Sequence, residues 1–135
     1  NGTIACDGRL IDGVKGRLLA LAKSLTIHVV TADTFGSVRE ALTGIPCRLI
    51  IIPVEHQAEA KQTCVGELNP ASCVCIGNGR NDRLMLNDAA LGIAVVQAEG
   101  VAVEAVLAAD ILVSSVLDAL DLLSQPLRLT ATLRS

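Results

Sequence analysis

The sequence predicts an α/β fold of three layers, a Rossmann-like parallel sheet covered by helices on both faces. Two observations carry this. Strand-length apolar runs alternate with helical patterns along nearly all of the 135 residues. Those runs are continuously apolar instead of alternating, as in strands buried on both sides. At 51% hydrophobic residues the chain can build one domain with a large core, and it is too short for two ordinary ones.

The elements follow in order. Residues 11–24 carry a helical stripe of Val14, Leu18, Leu21 and Ala22, and residues 25–31 form a buried strand. A short helix over 35–43 precedes a second strand, 48–53, closed by Pro53. Residues 55–68 are helical until Asn69-Pro70 breaks them ahead of the strand 72–77. Then come a helix over 82–90, a strand over 91–96, a helix over 101–108, a strand over 111–113 and a helix over 116–124. Residues 1–124 are read as the core domain. In the tail, 125–135, residues 127–134 alternate apolar and polar, which predicts an edge strand, within the chain or across to a neighbour.

Composition excludes several functions. Phe35 is the single aromatic, so the core is Ala, Val, Leu and Ile, and stacking platforms for single-stranded nucleic acid are absent. A net charge of −3 offers no basic footprint for nucleic acid. No run approaches the ~18 apolar residues of a membrane span. Five cysteines, odd in number and without a CxxC pair, read as small buried hydrophobes in a reducing cytoplasm. Cys73 and Cys75 alternate, placing both on one face of their strand.

Chemistry collects at strand ends in such sheets. "GNGRND", residues 77–82, fails as a dinucleotide fingerprint because Asp82 stands where a third glycine is needed. A carboxylate there would also compete with phosphate for a helix start. Asp82 can instead hold a cation, with Asn78 as an oxygen ligand, and magnesium suits that set. Equally, Asn81 or Asp82 can simply cap the helix. Thr31 ends "LTIHVVT" with a free hydroxyl; Lys61 lies on the preceding helix, ahead of Val65 and Leu68; "NGT" opens the chain. A hydroxyl, an ammonium and a metal site at separate strand ends make an electrostatic cage for a phosphoryl group in transfer.

"NGT", "VVTADT", Lys61 with its apolar followers and "GNGRNDRLMLNDAALGIAV" together resemble the four motifs of the haloacid dehalogenase-like superfamily. Within it the chain is most similar to the phosphorylation domain of P-type ATPases, down to Ala109-Asp110-Ile111, and the resemblance runs to Ser124. The resemblance implies a magnesium-dependent phosphohydrolase acting through an aspartyl-phosphate. It implies that Thr31 hydrogen-bonds a phosphoryl oxygen, beside the backbone of Ala32, and that Lys61 neutralises charge on nucleophile and phosphate. Asp82 and Asn78 would hold Mg2+, Asn81 would orient the phosphoryl group, and Thr3 with the Gly2 backbone would shape the loop beneath it.

Two positions depart from the pattern. Asn1 stands where family phosphatases carry an acid–base aspartate, and an amide has no proton to exchange. Asn78 replaces an aspartate, which removes a formal charge from the metal site. The nucleophile itself belongs two residues before the Asn1 position, on a hydrophobic strand at the centre of the sheet, so the natural protein is expected to begin upstream of residue 1. The roughly 27 residues between Thr3 and Thr31 cannot house a cap domain, which needs about 50. A capless site needs screening from water by a second subunit or a large substrate. The expected substrate is a phosphorylated small molecule or protein. Two alternatives are a weakened phosphate- or metal-binding regulatory module, and a soluble relative of the ATPase domain working with a partner.

Overall fold

The computed structural model describes residues 2–33 and 36–135. A two-residue hairpin, β1 (Ala5–Cys6) and β2 (Arg9–Leu10), leads into α1 (Val14–Leu21). β3 (His28–Thr31), α2 (Ser37–Ala41) and β4 (Arg48–Ile51) follow, and β3 pairs parallel with β4. Then come α3 (Gln57–Glu67), β5 (Val74–Gly77), α4 (Arg83–Asp88), β6 (Leu91–Val95), α5 (Val103–Ala108) and β7 (Ile111–Val113). β5, β6 and β7 are neighbours in that order, all parallel. α6 (Val116–Ser124) and α7 (Pro126–Leu133) end the chain.

Side chains alternate across the strands and so define the layers. Val14, Leu18 and Leu21 of α1 pack with Val116 and Leu120 of α6 against Val29, Leu49 and Ile76. Ile93, Val95 and Ile111 meet Ala119 of α6 on that same side. On the opposite side Cys75 packs with Val65 of α3, Leu86 of α4 and Ala105 of α5, and Cys73 joins them, so the two cysteines do share a face. The predicted elements recur at or within a few residues of their expected bounds, and β7 and α6 coincide with them.

The tail is a correction. Residues 126–133 form α7, a helix and not an edge strand. Pro126 at its first turn presets a helical φ and lacks only an N–H that a helix start leaves unpaired. Leu, Arg and Ala are good helix formers, and Leu129 alone needs to reach the core beside Ile93 and Ala119. Period two was a coincidence of composition.

The sheet is in two parts: among the described residues no strand hydrogen-bonds β3 to β5. β6, flanked on both sides, is buried from Gly92 to Val95, whereas all four residues of β3 are half-buried. Ile76 and Val29 nevertheless belong to one core cluster, so both parts flank the same interior.

All five cysteines are free. Burial, helped by the negative potential of Cys73, Asp82 and Asp88, pushes the Cys75 thiol up to about 12. Partial alkylation at pH 8 followed by mass mapping should therefore find Cys75 modified last, behind the half-buried Cys47 and Cys64. Equal labelling rates would contradict its packing.

Candidate functional site

The site is built where β5 ends. Gly77 closes the strand, and the turn that follows folds back on the Asp82 carboxylate. Oδ2 of Asp82 accepts the amides of Asn78 at 2.9 Å and Gly79 at 2.8 Å. The Asp82 amide returns a bond of 2.9 Å to the Gly79 carbonyl, so the turn is closed in both directions. Gly77 has to be glycine here, since a Cβ would stand 2.5 Å from the Asp82 carboxyl carbon.

Oδ1 of Asp82 accepts Lys61 Nζ at 2.6 Å. Lys61 reaches it because it shares the core-facing stripe of α3 with Ala58 and Val65, both buried. The pair is enclosed, with the two side chains 11% and 4% exposed. An ammonium in such a place is normally paired, and an ammonium has three donors, of which Asp82 takes one.

Asn78 lies beside this pair. Its Nδ2 donates to the Gly100 carbonyl at 3.1 Å, which sets the amide so that Oδ1 accepts the Thr3 hydroxyl at 3.3 Å. Gly2, at φ +82°, passes so close that a Cβ would meet Asn78 Oδ1 at 2.6 Å. The "NGT" and "GNGRND" loops, 75 residues apart, are thus in contact through Thr3 and Asn78. Asn1 lies outside the described residues.

The other predicted residues stand further off. Asn81 Nδ2 donates to Gln57 Oε1 at 2.6 Å, a partner on the first turn of α3. Thr31 ends β3 in the other sheet part, where its hydroxyl oxygen accepts the Asp33 amide at 3.1 Å. Its proton is unused among the described residues, and half-buried Ala32 follows it in the loop. Lys61 and Asp82 therefore meet directly, Thr3 and Asn78 meet beside them, and no hydrogen bond ties Thr31 to that group among the described residues.

The residues fit magnesium incompletely. Asn78 Oδ1 is a hard oxygen ligand, but it is neutral and already accepts the Thr3 hydroxyl. Asp82 supplies the formal charge, yet Lys61 offsets it and both oxygens already accept hydrogen bonds. A cation here would need a further anionic ligand.

Sequence reasoning missed Gln57 and Gln97. Gln97 follows β6 at φ +51° and bonds the Gly2 and Thr3 carbonyls and the Val116 amide. A polar residue directly after the apolar "LGIAVV" was the available signal.

No established family profile matches the chain. Over 61 residues it is 49% identical to the uncharacterized protein MJ0073 of Methanocaldococcus jannaschii, covering 45% of this chain and 66% of that one. Over 34 residues it is 50% identical to the uncharacterized protein MJ0072 of the same organism, covering 25% of this chain and 77% of that one. Among solved structures it is similar to a protein described as a HAD family hydrolase from Streptomyces avermitilis, with TM-score 0.64, 17% identity and 78% of this chain covered. It spans only 60% of that structure and 66% of MJ0073, less than two thirds of each. It is also similar to 3-deoxy-D-manno-octulosonate 8-phosphate phosphatase from Moraxella catarrhalis, solved with magnesium, phosphate and its sugar. There the TM-score is 0.66 and the identity 18%, over 89% of this chain and 75% of that one. The chain belongs to one family with MJ0072, and its fold is that of the haloacid dehalogenase-like (HAD) hydrolases.

Proposed function

We propose that this chain is the capless core of a magnesium-dependent phosphohydrolase that works through an aspartyl-phosphate on a phosphomonoester, small or protein-borne. The observation that carries the reading is the enclosed Lys61–Asp82 pair at the end of β5, with Asn78 and Thr3 in hydrogen-bond contact beside it. An ammonium so placed, with donors to spare, neutralises charge on a carboxylate nucleophile and on phosphoryl oxygens. Asp82 fixes its position, Asn78 offers the amide oxygen toward the cation, and the unused Thr31 proton suits a phosphoryl oxygen. When bound, magnesium would supply positive charge to the oxygens of the group in transfer.

The nucleophile in this reading sits on a strand that lies between β3 and β5 and leads into the Gly2–Thr3 loop. The half-buried edge of β3 and the contact of Gly2 with Asn78 at the end of β5 support that course. Carboxylate attack on phosphorus displaces the leaving oxygen; water then attacks the acyl-phosphate phosphorus and releases phosphate, freeing the carboxylate. The amide of Asn1 has no proton to give the leaving group and cannot take one from water, so both steps, and the second above all, are slow.

The test is turnover of a broad phosphomonoester panel with magnesium, using the chain preceded by an apolar strand with aspartate two residues before Asn1. Hydrolysis that vanishes when this aspartate becomes asparagine is expected; silence across the panel would overturn the reading. Asn78→Asp should tighten magnesium by about tenfold, ~1.4 kcal/mol, by calorimetry. A regulatory module is the second reading, favoured by the full engagement of both Asp82 oxygens. Binding of magnesium with beryllofluoride but no turnover would select it.

A further inference from the structure

Gln97 uses its side-chain amide on three partners at once. Its Nε2 donates to the carbonyls of Gly2, at 2.9 Å, and Thr3. Oε1 accepts the amide of Val116, the first residue of α6, at 3.0 Å. The residue holds a left-handed φ of +51° to do so, a conformation that a long side chain seldom adopts. Its nitrogen and oxygen are told apart by these partners, since two carbonyls need a donor and one N–H needs an acceptor.

The two carbonyl bonds decide which way the turn faces. The peptides are trans, so carbonyl and N–H point to opposite sides. With the Gly2 and Thr3 carbonyls drawn to Gln97, the amides of Thr3 and Ile4 face away from it, and neither has an acceptor among the described residues. The same anchorage holds the Thr3 hydroxyl on Asn78 and the Gly2 backbone against the Asn78 amide. Successive N–H groups turned one way form a concavity suited to an anion.

We propose that Gln97 is a positioning residue, holding the Gly2–Thr3 turn against Asn78 with its amides presented to a tetrahedral oxyanion of the phosphate type. The ligand half of this inference rests on the phosphohydrolase reading; the clamp itself does not.

Gln97→Glu separates the two ends of the clamp. At pH 8 a carboxylate keeps the size of the side chain and the acceptor for Val116, at a helix start where negative charge is favourable. It cannot donate, and it sets lone pairs against the Gly2 and Thr3 carbonyls. A cavity of about 230 Å³ lined by Gly2, Cys6, Gln97 and Ser115 gives the released turn room to move. Gln97→Met is the neutral companion, lacking both functions. With the chain preceded by the same apolar strand and aspartate, magnesium and inorganic phosphate, calorimetry should show phosphate affinity at least tenfold weaker in both variants, with the urea midpoint of Gln97→Glu close to the parent. NMR of both variants without ligand should show the Asn78 side-chain and Thr3 amide resonances displaced.

Parent-like phosphate affinity in Gln97→Glu overturns the positioning role. Unmoved Asn78 and Thr3 resonances overturn the clamp whether or not phosphate binds. Failure of the parent chain to bind phosphate strikes the oxyanion assignment and the phosphohydrolase reading together, while displaced resonances would still uphold the clamp.

Discussion

Asp82→Ala should lower stability by roughly 3–5 kcal/mol, the range for breaking a buried ion pair from one side. Asp82 is 3% exposed, and alanine removes every acceptor it supplies. Lys61 is then left as an ammonium in an enclosed site, and the Asn78 and Gly79 amides lose their acceptor. Lys61→Met should cost less, because the carboxylate it abandons keeps two amide donors. The double variant should be less destabilised than the sum of the singles, as coupled partners require. Asp82→Asn separates charge from shape: its oxygen can still accept the two turn amides, but its NH2 then faces the ammonium. Far-UV circular dichroism in urea is the suitable measurement, since the chain has no Trp or Tyr to report by fluorescence. A change within ~0.5 kcal/mol for Asp82→Ala would class the pair with ordinary surface ion pairs and remove the main support for the site.

Gly92→Ala should cost about 3 kcal/mol, at the upper end of overpacking, because the obstacle is backbone. A Cβ there would stand 2.4 Å from the Leu86 carbonyl oxygen and 3.1 Å from its carbon. No rotamer relieves that contact. β6 is the buried centre of its sheet part, so α4 must shift and carry Leu86, itself 1% exposed, out of register with Val65 and Ala105. The damage should reach the site, since α4 begins directly after Asp82. Gly66→Ala is the matched control. It lies inside α3 with nothing within 4 Å of a new Cβ, and alanine there should stabilise by up to ~1 kcal/mol. Equal effects at the two positions in urea denaturation would mean that the closeness of α4 to β6 does not matter.

Much of this molecule was legible in the residues. The continuous apolar run "LGIAV" reads as a strand buried on two faces, as it is, whereas "RLII" is a strand with exposed ends, and the helices between them carry stripes at 3 and 4 spacing. Lys61 taken alone reads as an ordinary solvated helix lysine, and only its order among the other motifs singled it out; its enclosure against Asp82 was not legible. The tail was misread because L-R-L-T-A-T-L-R satisfies period two by composition; Pro126 and docking on α6 decided for helix.

By itself the sequence determined the alternation of strands and helices and the parallel, two-faced sheet, because periodicity and turn residues are local properties. Tertiary structure alone decided what those residues do to one another. Asp82 is spent on Lys61 and a turn, Asn81 on Gln57, and Gln97 on a loop 94 residues away. Such partners are chosen by where parallel strands and crossing helices deliver them in space. A hydrogen bond depends on distances of about 3 Å and on direction, and neither is written in any window of neighbouring residues.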